Sequence, residues 1–331
     1  MLSQAGKLVT ELPTQDNRGE EYVGVSEGRS TKAPGARRRG RRWLLPLFLL
    51  SPALALLLGI VAYPIARAVW LSFHRLEILR PDLSLNVGFD NYRELLRDPV
   101  IRIALQNSIV WVVGVVLFQF LGGLGGALVL NRRFAGRGII RGLALIPWAT
   151  PSVLVALMWT WMLDGNYGLI NDLLVKVRIL SRFQPWLAQP WSALPGVMLA
   201  DIWQGVPFFS VMLLAALQAI PEDLFEAARI DGASAWRVLR HVTLPLLLPT
   251  ILITTMLRMI WTANYMDLIM IMTGGGPGYS SLTIPLHAYY TAYKRLDFGY
   301  GSAIAIVQVA ILGVAIGFYL RQLRRNEAMV Q

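Results

Sequence analysis

Few side chains in this sequence have the types and spacing that make or break bonds. His74, His241 and His287 lie in different segments without ligand spacing, and no cysteine is present to act as nucleophile, thiolate ligand or disulfide partner. The run Gly274-Gly275-Gly276-Pro277-Gly278 lacks the Lys-Ser/Thr that a phosphate-binding loop needs. No Walker motif, nucleophile triad or metal-ligand spacing occurs, so ATP hydrolysis is not expected of this chain. What it does carry is polar and aromatic groups inside apolar stretches. Arg258, Trp261, Asn264, Tyr265 and Asp267 share one apolar run, and Trp203, Gln204 and Phe208 share another. A charge in hydrocarbon costs about 2.5–3.5 kcal/mol on insertion scales, so these residues must face protein or water. Amide and carboxylate groups beside aromatic plates suit a ligand with many hydroxyls and apolar ring faces. Together they are the candidate substrate-binding residues; for any one of them, hydrogen bonding between helices or ordinary aromatic packing is the plainer account.

The elements that must position them are membrane helices. The chain has 331 residues, 55% of them hydrophobic and 15% charged, with several runs longer than the roughly 20 apolar residues a bilayer crossing needs. An all-α polytopic membrane protein with about six spans is expected: Trp43 to Phe73, Ser108 to Leu130, Gly142 to Leu163, Pro195 to Ile220, Thr250 to Thr273 and Gly301 to Leu320. Residues 1–42 form a polar tail ending in an arginine cluster, 43–320 the permeating domain, and 321–331 a second tail. The net charge of +11 gathers beside the spans and so points to membrane orientation, not to nucleic acid. The arginine cluster before the first span, the acid-free loop with Arg132, Arg133, Arg137 and Arg141, the loop 221–249 and Arg324-Arg325 all fall on one side. The positive-inside rule makes that side, and both termini, cytoplasmic. Gly122, Gly123, Gly125 and Gly126 predict a close helix-packing face, and Pro147 to Ser152 a kink in the third span. Arg67 and Asp201 are placed near outer span ends, Trp159 and Trp161 as interfacial anchors, and the glycine run as a flexible outer loop.

One stretch reads differently. Pro221-Glu222-Asp223 opens a helix, Gly232 ends it with a left-handed cap, and Ser234 caps a second short helix that Pro245 interrupts. Two short polar helices hinged at a glycine, between long apolar runs, look built to be gripped by something soluble. Glu226-Ala227-Ala228, Gly232 and Val242-Thr243-Leu244-Pro245 resemble the EAA loop of ATP-binding-cassette importer permeases, with Val242 where isoleucine is usual. The stretches from Trp161, Asp201, Leu217 and Asp267 are similar to the carbohydrate-uptake branch, in particular to its maltose-permease-like first transmembrane subunit.

That resemblance implies a type I importer permease fold and a binding-protein-dependent transport role for a sugar, oligosaccharide or polyol. It further implies a second homologous permease, an ATPase dimer carrying the ATP and magnesium, an extracytoplasmic solute-binding protein, and residence in a bacterial or archaeal inner membrane. No cofactor is expected on this chain. The ATPase-coupling residues carried over are Glu226, Ala227, Ala228, Asp231, Gly232, Trp236, Leu239, Leu244 and Pro245, with Trp236 and Leu239 packing the helix pair. Two alternatives stay open. One is an anionic solute such as glycerol phosphate, paired by Arg258; the other is an ion-coupled secondary transporter using Asp201 or Asp267.

Overall fold

The computed structural model describes residues 44–76 and 85–327. The tail 1–42 and the residues after 327 lie outside the described residues. Two compact units meet at Leu57–Leu58. The first contributes helix α1 (Leu44–Leu56), almost wholly apolar, with Pro52 inside it.

From that division a π-wound turn, Leu57–Ala62, leads into α2 (Tyr63–Ser72). Pro64 begins α2 without an N–H to donate, and the widened turn ahead of it relieves the clash of its ring with the preceding carbonyl. Strands β1 (His74–Arg75) and β2 (Leu85–Asn86) form a two-residue antiparallel pair, His74 opposite Asn86. α3 (Asp90–Arg97) then delivers the chain to α4 (Pro99–Asn131). Asp98 caps α4 by accepting from Val100 N at 2.8 Å, and Pro99 sits where no donor is required.

α5 (Arg137–Ala144), α6 (Ile146–Ala149) and α7 (Ser152–Met162) follow, and the chain bends by 92° where α7 begins. Thr150 and Pro151 adopt extended ψ there, so the kink expected in the third span is a full break. α8 (Leu169–Lys176) precedes α9 (Ala193–Gln218). Then come α10 (Glu222–Ile230), α11 (Ala235–Val238), α12 (Leu244–Asn264), α13 (Asp267–Met272), α14 (Ile284–Tyr293) and α15 (Phe298–Glu327). Among the described residues, five helices are long and apolar enough to cross a membrane, or six with the bent pair counted as one span.

The centre of the bundle is α4 against α9. A Cβ on Gly123 would enter Phe209, one on Gly126 would meet Ser210, and one on Gly122 would lie 2.9 Å from Val206. The expected small-residue face is therefore real, though Gly125 looks into open space. Lipid is as apolar as these side chains, so this contact is stabilised by van der Waals fit more than by exclusion of water.

Four expectations change. Pro245 does not interrupt the helix after Ser234, because a π-wound turn at Leu239–Thr243 absorbs it and α11 runs on into α12. The fifth span is not one helix to Thr273: Tyr265 turns extended at ψ 113° and the chain restarts at Asp267. Trp159 is not an interfacial anchor but 7% exposed, packed on Trp203 with centroids 6.1 Å apart; Trp161 is exposed. The glycine-rich loop is tied down and followed by α14. Asn107 Nδ2 donates to the Tyr279 and Leu282 carbonyls, and Ile284 N donates to Ser108 Oγ, each at 2.9 Å.

Candidate transport site and coupling hairpin

A cavity of about 250 Å³ is lined by Trp148, Gln204, Arg258, Trp261, Thr262 and Tyr265. α12 supplies Arg258, Trp261 and Thr262, its break supplies Tyr265, α9 supplies Gln204, and the short α6 supplies Trp148. Thr262 Oγ1 is buried without a hydrogen-bond partner.

Beside this cavity lies a buried ion pair. Arg258 Nη2 donates to Asp201 Oδ1 at 2.9 Å, and Arg258 Nε donates to Gln119 Oε1 at 2.6 Å. Gln119 Nε2 donates in turn to the Asp201 carbonyl at 2.7 Å. The Asp201 side chain is fully buried and that of Arg258 is 11% exposed. The triad needs room, and Gly205 gives it: a Cβ there would overlap the Gln119 amide and lie 2.6 Å from Arg258 Nη2. Asp201 is thus no outer-end residue. It sits about two turns inside α9 and neutralises the one guanidinium in the cavity wall.

The two helix breaks are joined through Gln204 of α9. Tyr265 Oη donates to Gln204 Oε1 at 3.1 Å, and Gln204 Nε2 donates to the Thr150 carbonyl at 3.0 Å. Interrupted backbone at membrane depth is tolerated where it is buried in protein or lines a cavity, because its freed carbonyls need donors. Gln204 provides one.

Of the candidate substrate residues, Gln204, Arg258, Trp261 and Tyr265 come together in the cavity. Phe208 packs edge-on to Trp261 with centroids 5.4 Å apart. The other three do not line it. Trp203 packs on Trp159, Asn264 bonds back to the Ile260 carbonyl and accepts from Gln308 Nε2, and Asp267 accepts from Ser152 Oγ at 3.4 Å. Asn264 and Asp267 thus use polar groups in joining helices, and Trp203 is engaged by ring packing. Sequence reasoning missed Trp148 and Gln119, and it left Thr262 out of the candidate set although its spacing puts it on one helical face with Arg258, Trp261 and Tyr265. A tryptophan between Pro147 and Pro151 was the available signal for the first; nothing in the sequence set Gln119 apart from its neighbours.

In the loop 221–249 two helices are parted at Gly232. Pro221 precedes α10, Glu222 and Asp223 lie in its first turn, and Gly232 takes φ +70°. Gly232 N donates to the Arg229 carbonyl and Ala233 N to the Ala228 carbonyl, the paired bonds of a left-handed helix stop. Ser234 Oγ accepts from Arg237 N at 3.4 Å. Glu226, Ala227, Asp231 and Pro245 are exposed, while Ala228, Leu239 and Leu244 are half-buried. Trp236 is 65% exposed and so does not seal the helix pair. Ile230, at 87% exposed, is the most open large apolar side chain among the described residues, on a surface otherwise polar.

A cavity at the breaks of two membrane helices, with a polar hairpin between α9 and α12, defines a transport subunit. The chain belongs to the family of binding-protein-dependent transport system inner membrane components, whose profile matches residues 119–326. It is therefore a membrane-embedded permease subunit and not itself an ATPase. It is 35% identical over 295 residues to the sulfoquinovosyl glycerol transport system permease protein SmoG of Agrobacterium fabrum, covering 87% of this chain and 95% of that one. It is 36% identical over 268 residues to the trehalose/maltose transport system permease protein MalF of Thermococcus litoralis, covering 81% and 90%. In structure it is similar to a chain of the bacterial alginate ABC transporter crystallised with an alginate pentasaccharide-bound periplasmic protein. That match has TM-score 0.74 and 24% identity over 86% of this chain and 96% of the other, and it speaks to the fold alone.

Proposed function

We propose that this chain imports a sugar, oligosaccharide or polyol by alternating access, with substrate held at the cavity of Trp148, Gln204, Trp261, Thr262 and Tyr265. The observation that carries this reading is the cavity's chemistry. Two indoles and a phenol offer flat apolar faces, Gln204 offers hydrogen bonds, and Asp201 cancels the charge of Arg258. The permease relatives named for trehalose and maltose and for sulfoquinovosyl glycerol, a sulfonated glycoside, support a glycoside and leave its charge open. An anion paired by Arg258 is disfavoured, because that guanidinium is already bound to a carboxylate and an amide.

The hairpin is the contact for an ATPase dimer. Glu226 and Asp231 offer acids to its rim, Ile230 and Trp236 offer apolar anchors, and Gly232 holds the bend. Ala227, Ala228, Leu239, Leu244 and Pro245 shape and seat it. A second, homologous permease completes the pathway and an extracytoplasmic binding protein delivers the ligand; ATP and magnesium belong to the ATPase. The arginines flanking the hairpin side put both termini in the cytoplasm. The test is uptake by the purified, reconstituted complex, with sugars screened for stimulated ATP turnover. Turnover stimulated only by solutes other than sugars and polyols would reverse the substrate assignment, and a complex lacking any ATPase would end the coupling assignment.

A further inference from the structure

A groove of about 480 Å³ lies between the end of α4 and the inner side of the hairpin. Leu128 and Arg132 form one wall, Phe225 and Arg229 of α10 another, and Trp236 and Leu239 a third. Two guanidinium groups thus line one otherwise apolar space. Among the described residues neither has a carboxylate within 4.0 Å, whereas neighbouring Arg133 lies 3.5 Å from Glu222. The space is therefore cationic and uncompensated.

Its position says what it faces. α4 leaves its apolar span at Asn131, and Leu117 and Leu121, on the same helical face as Leu128, are exposed. From Leu239 the helix continues into α12, where Leu246 and Ile253, seven residues apart, are also exposed. Two apolar rows thus run from the groove along the spans. A soluble peptide would fill the groove but leave those rows bare. A lipid would cover both.

We propose that this groove binds an anionic phospholipid, its phosphate forked between Arg132 and Arg229 and its acyl chains lying along the exposed rows of α4 and α12. Guanidinium groups match phosphate oxygens in paired hydrogen bonds. The bound lipid ties the end of α4 to the hairpin, so the anionic content of the membrane sets how readily the hairpin moves. This goes beyond the transport reading and does not depend on which sugar is carried.

The test uses the complete transporter purified through this chain, in nanodiscs of phosphatidylcholine with a graded share of phosphatidylglycerol. Retained lipid is read by native mass spectrometry and coupled ATP turnover is measured in parallel. Wild type is expected to retain phosphatidylglycerol in preference to phosphatidylcholine. Each basic group contributes on the order of fivefold, so the pair Arg132→Gln with Arg229→Gln should raise the half-saturating phosphatidylglycerol content roughly 30-fold. The pair Arg132→Lys with Arg229→Lys keeps the charge but loses the paired hydrogen bonds, so it should fall between wild type and the glutamine pair. Equal phosphatidylglycerol retention by wild type and the glutamine pair, in intact complexes, overturns the site. Should the glutamine pair fail to assemble, competition on wild type decides, and equal retention of the two lipids overturns it. A photo-cross-linker at Ala233, which lines the groove, should label lipid; labelling of the ATPase in its place also refutes the proposal.

Discussion

Replacing Arg258 by alanine should cost far more than the loss of one surface charge. Asp201 would keep its carboxylate fully buried with only a long contact, 3.4 Å from the Gln119 amide nitrogen. Breaking a buried pair on one side costs about 3–5 kcal/mol, because the remaining charge loses its counter-charge and recovers no water. Asp201→Leu should cost a similar amount, since Arg258 is then held only by Gln119. Removing both charges together, as Asp201→Leu with Arg258→Met, removes the uncompensated charge and should bring the loss to within about 1–2 kcal/mol of wild type, a repacking cost. The cycle therefore predicts a coupling of several kcal/mol. It is measured as the heat stability of the assembled transporter, followed by the fraction that stays monodisperse after heating, with uptake as a second reading. Singles whose losses simply add in the double variant would mean that the two charges do not support each other. The description of this pair would then be wrong.

Other expectations follow from single features. Gly232→Val places a branched side chain at φ +70° with open space around it, so it strains the backbone by about 1–2 kcal/mol without a clash. It should abolish ATP-driven uptake while membrane insertion, checked by fractionation, stays normal. Trp261→Ala removes an exposed ring worth about 0.5–1.5 kcal/mol in stacking and should raise the half-saturating sugar concentration up to about tenfold. Unchanged uptake at low sugar would move the site elsewhere. His287 is held below its ordinary value of 6.5, chiefly by burial, which outweighs the opposing pull of Asp98. The unfolded chain therefore binds a proton that the folded site refuses, so heat stability should hold above that value and fall as pH drops through it. His287→Gln should flatten the fall.

Most of the architecture was legible because membrane helices announce themselves by length and composition. The hairpin was legible because its signals are local: Pro221, Gly232 and Ser234 act on their immediate neighbours. The cavity was half legible. Trp261 and Tyr265 are conspicuous as aromatics beside Arg258, but Asn264 and Asp267 share their run and serve different contacts. Periodicity extrapolated from Arg258 to Asp267 assumes an unbroken helix, and the break at Tyr265 invalidates it. The partner of Arg258 lies on another helix, 57 positions away in sequence, where only tertiary packing decides the match. The same holds for the glycine-rich loop. Its composition indicates freedom, while Asn107 and Ser108 from a distant helix remove it.

The break at Tyr265 also marks where a lever ends. From Ala235 the chain is helical through the π-wound turn and on to Asn264, about 45 Å at 1.5 Å per residue. Trp236 stands near one end of it, and Arg258 and Trp261 near the other. Had Pro245 interrupted this helix, a displacement of the hairpin would have been absorbed at the membrane surface; the widened turn keeps the two ends on one body. Arg258 is pinned to Asp201 and Gln119, so the lever cannot slide along α9 without breaking a buried ion pair. Rotation about that pin costs less, and it would carry Trp261 and the adjoining Tyr265 across the cavity. Tyr265 is bonded to Gln204 and through it to the break at Thr150, so the same rotation would strain both breaks at once. Motion at the hairpin and geometry at the cavity are thereby joined through side chains already on α9 and α12.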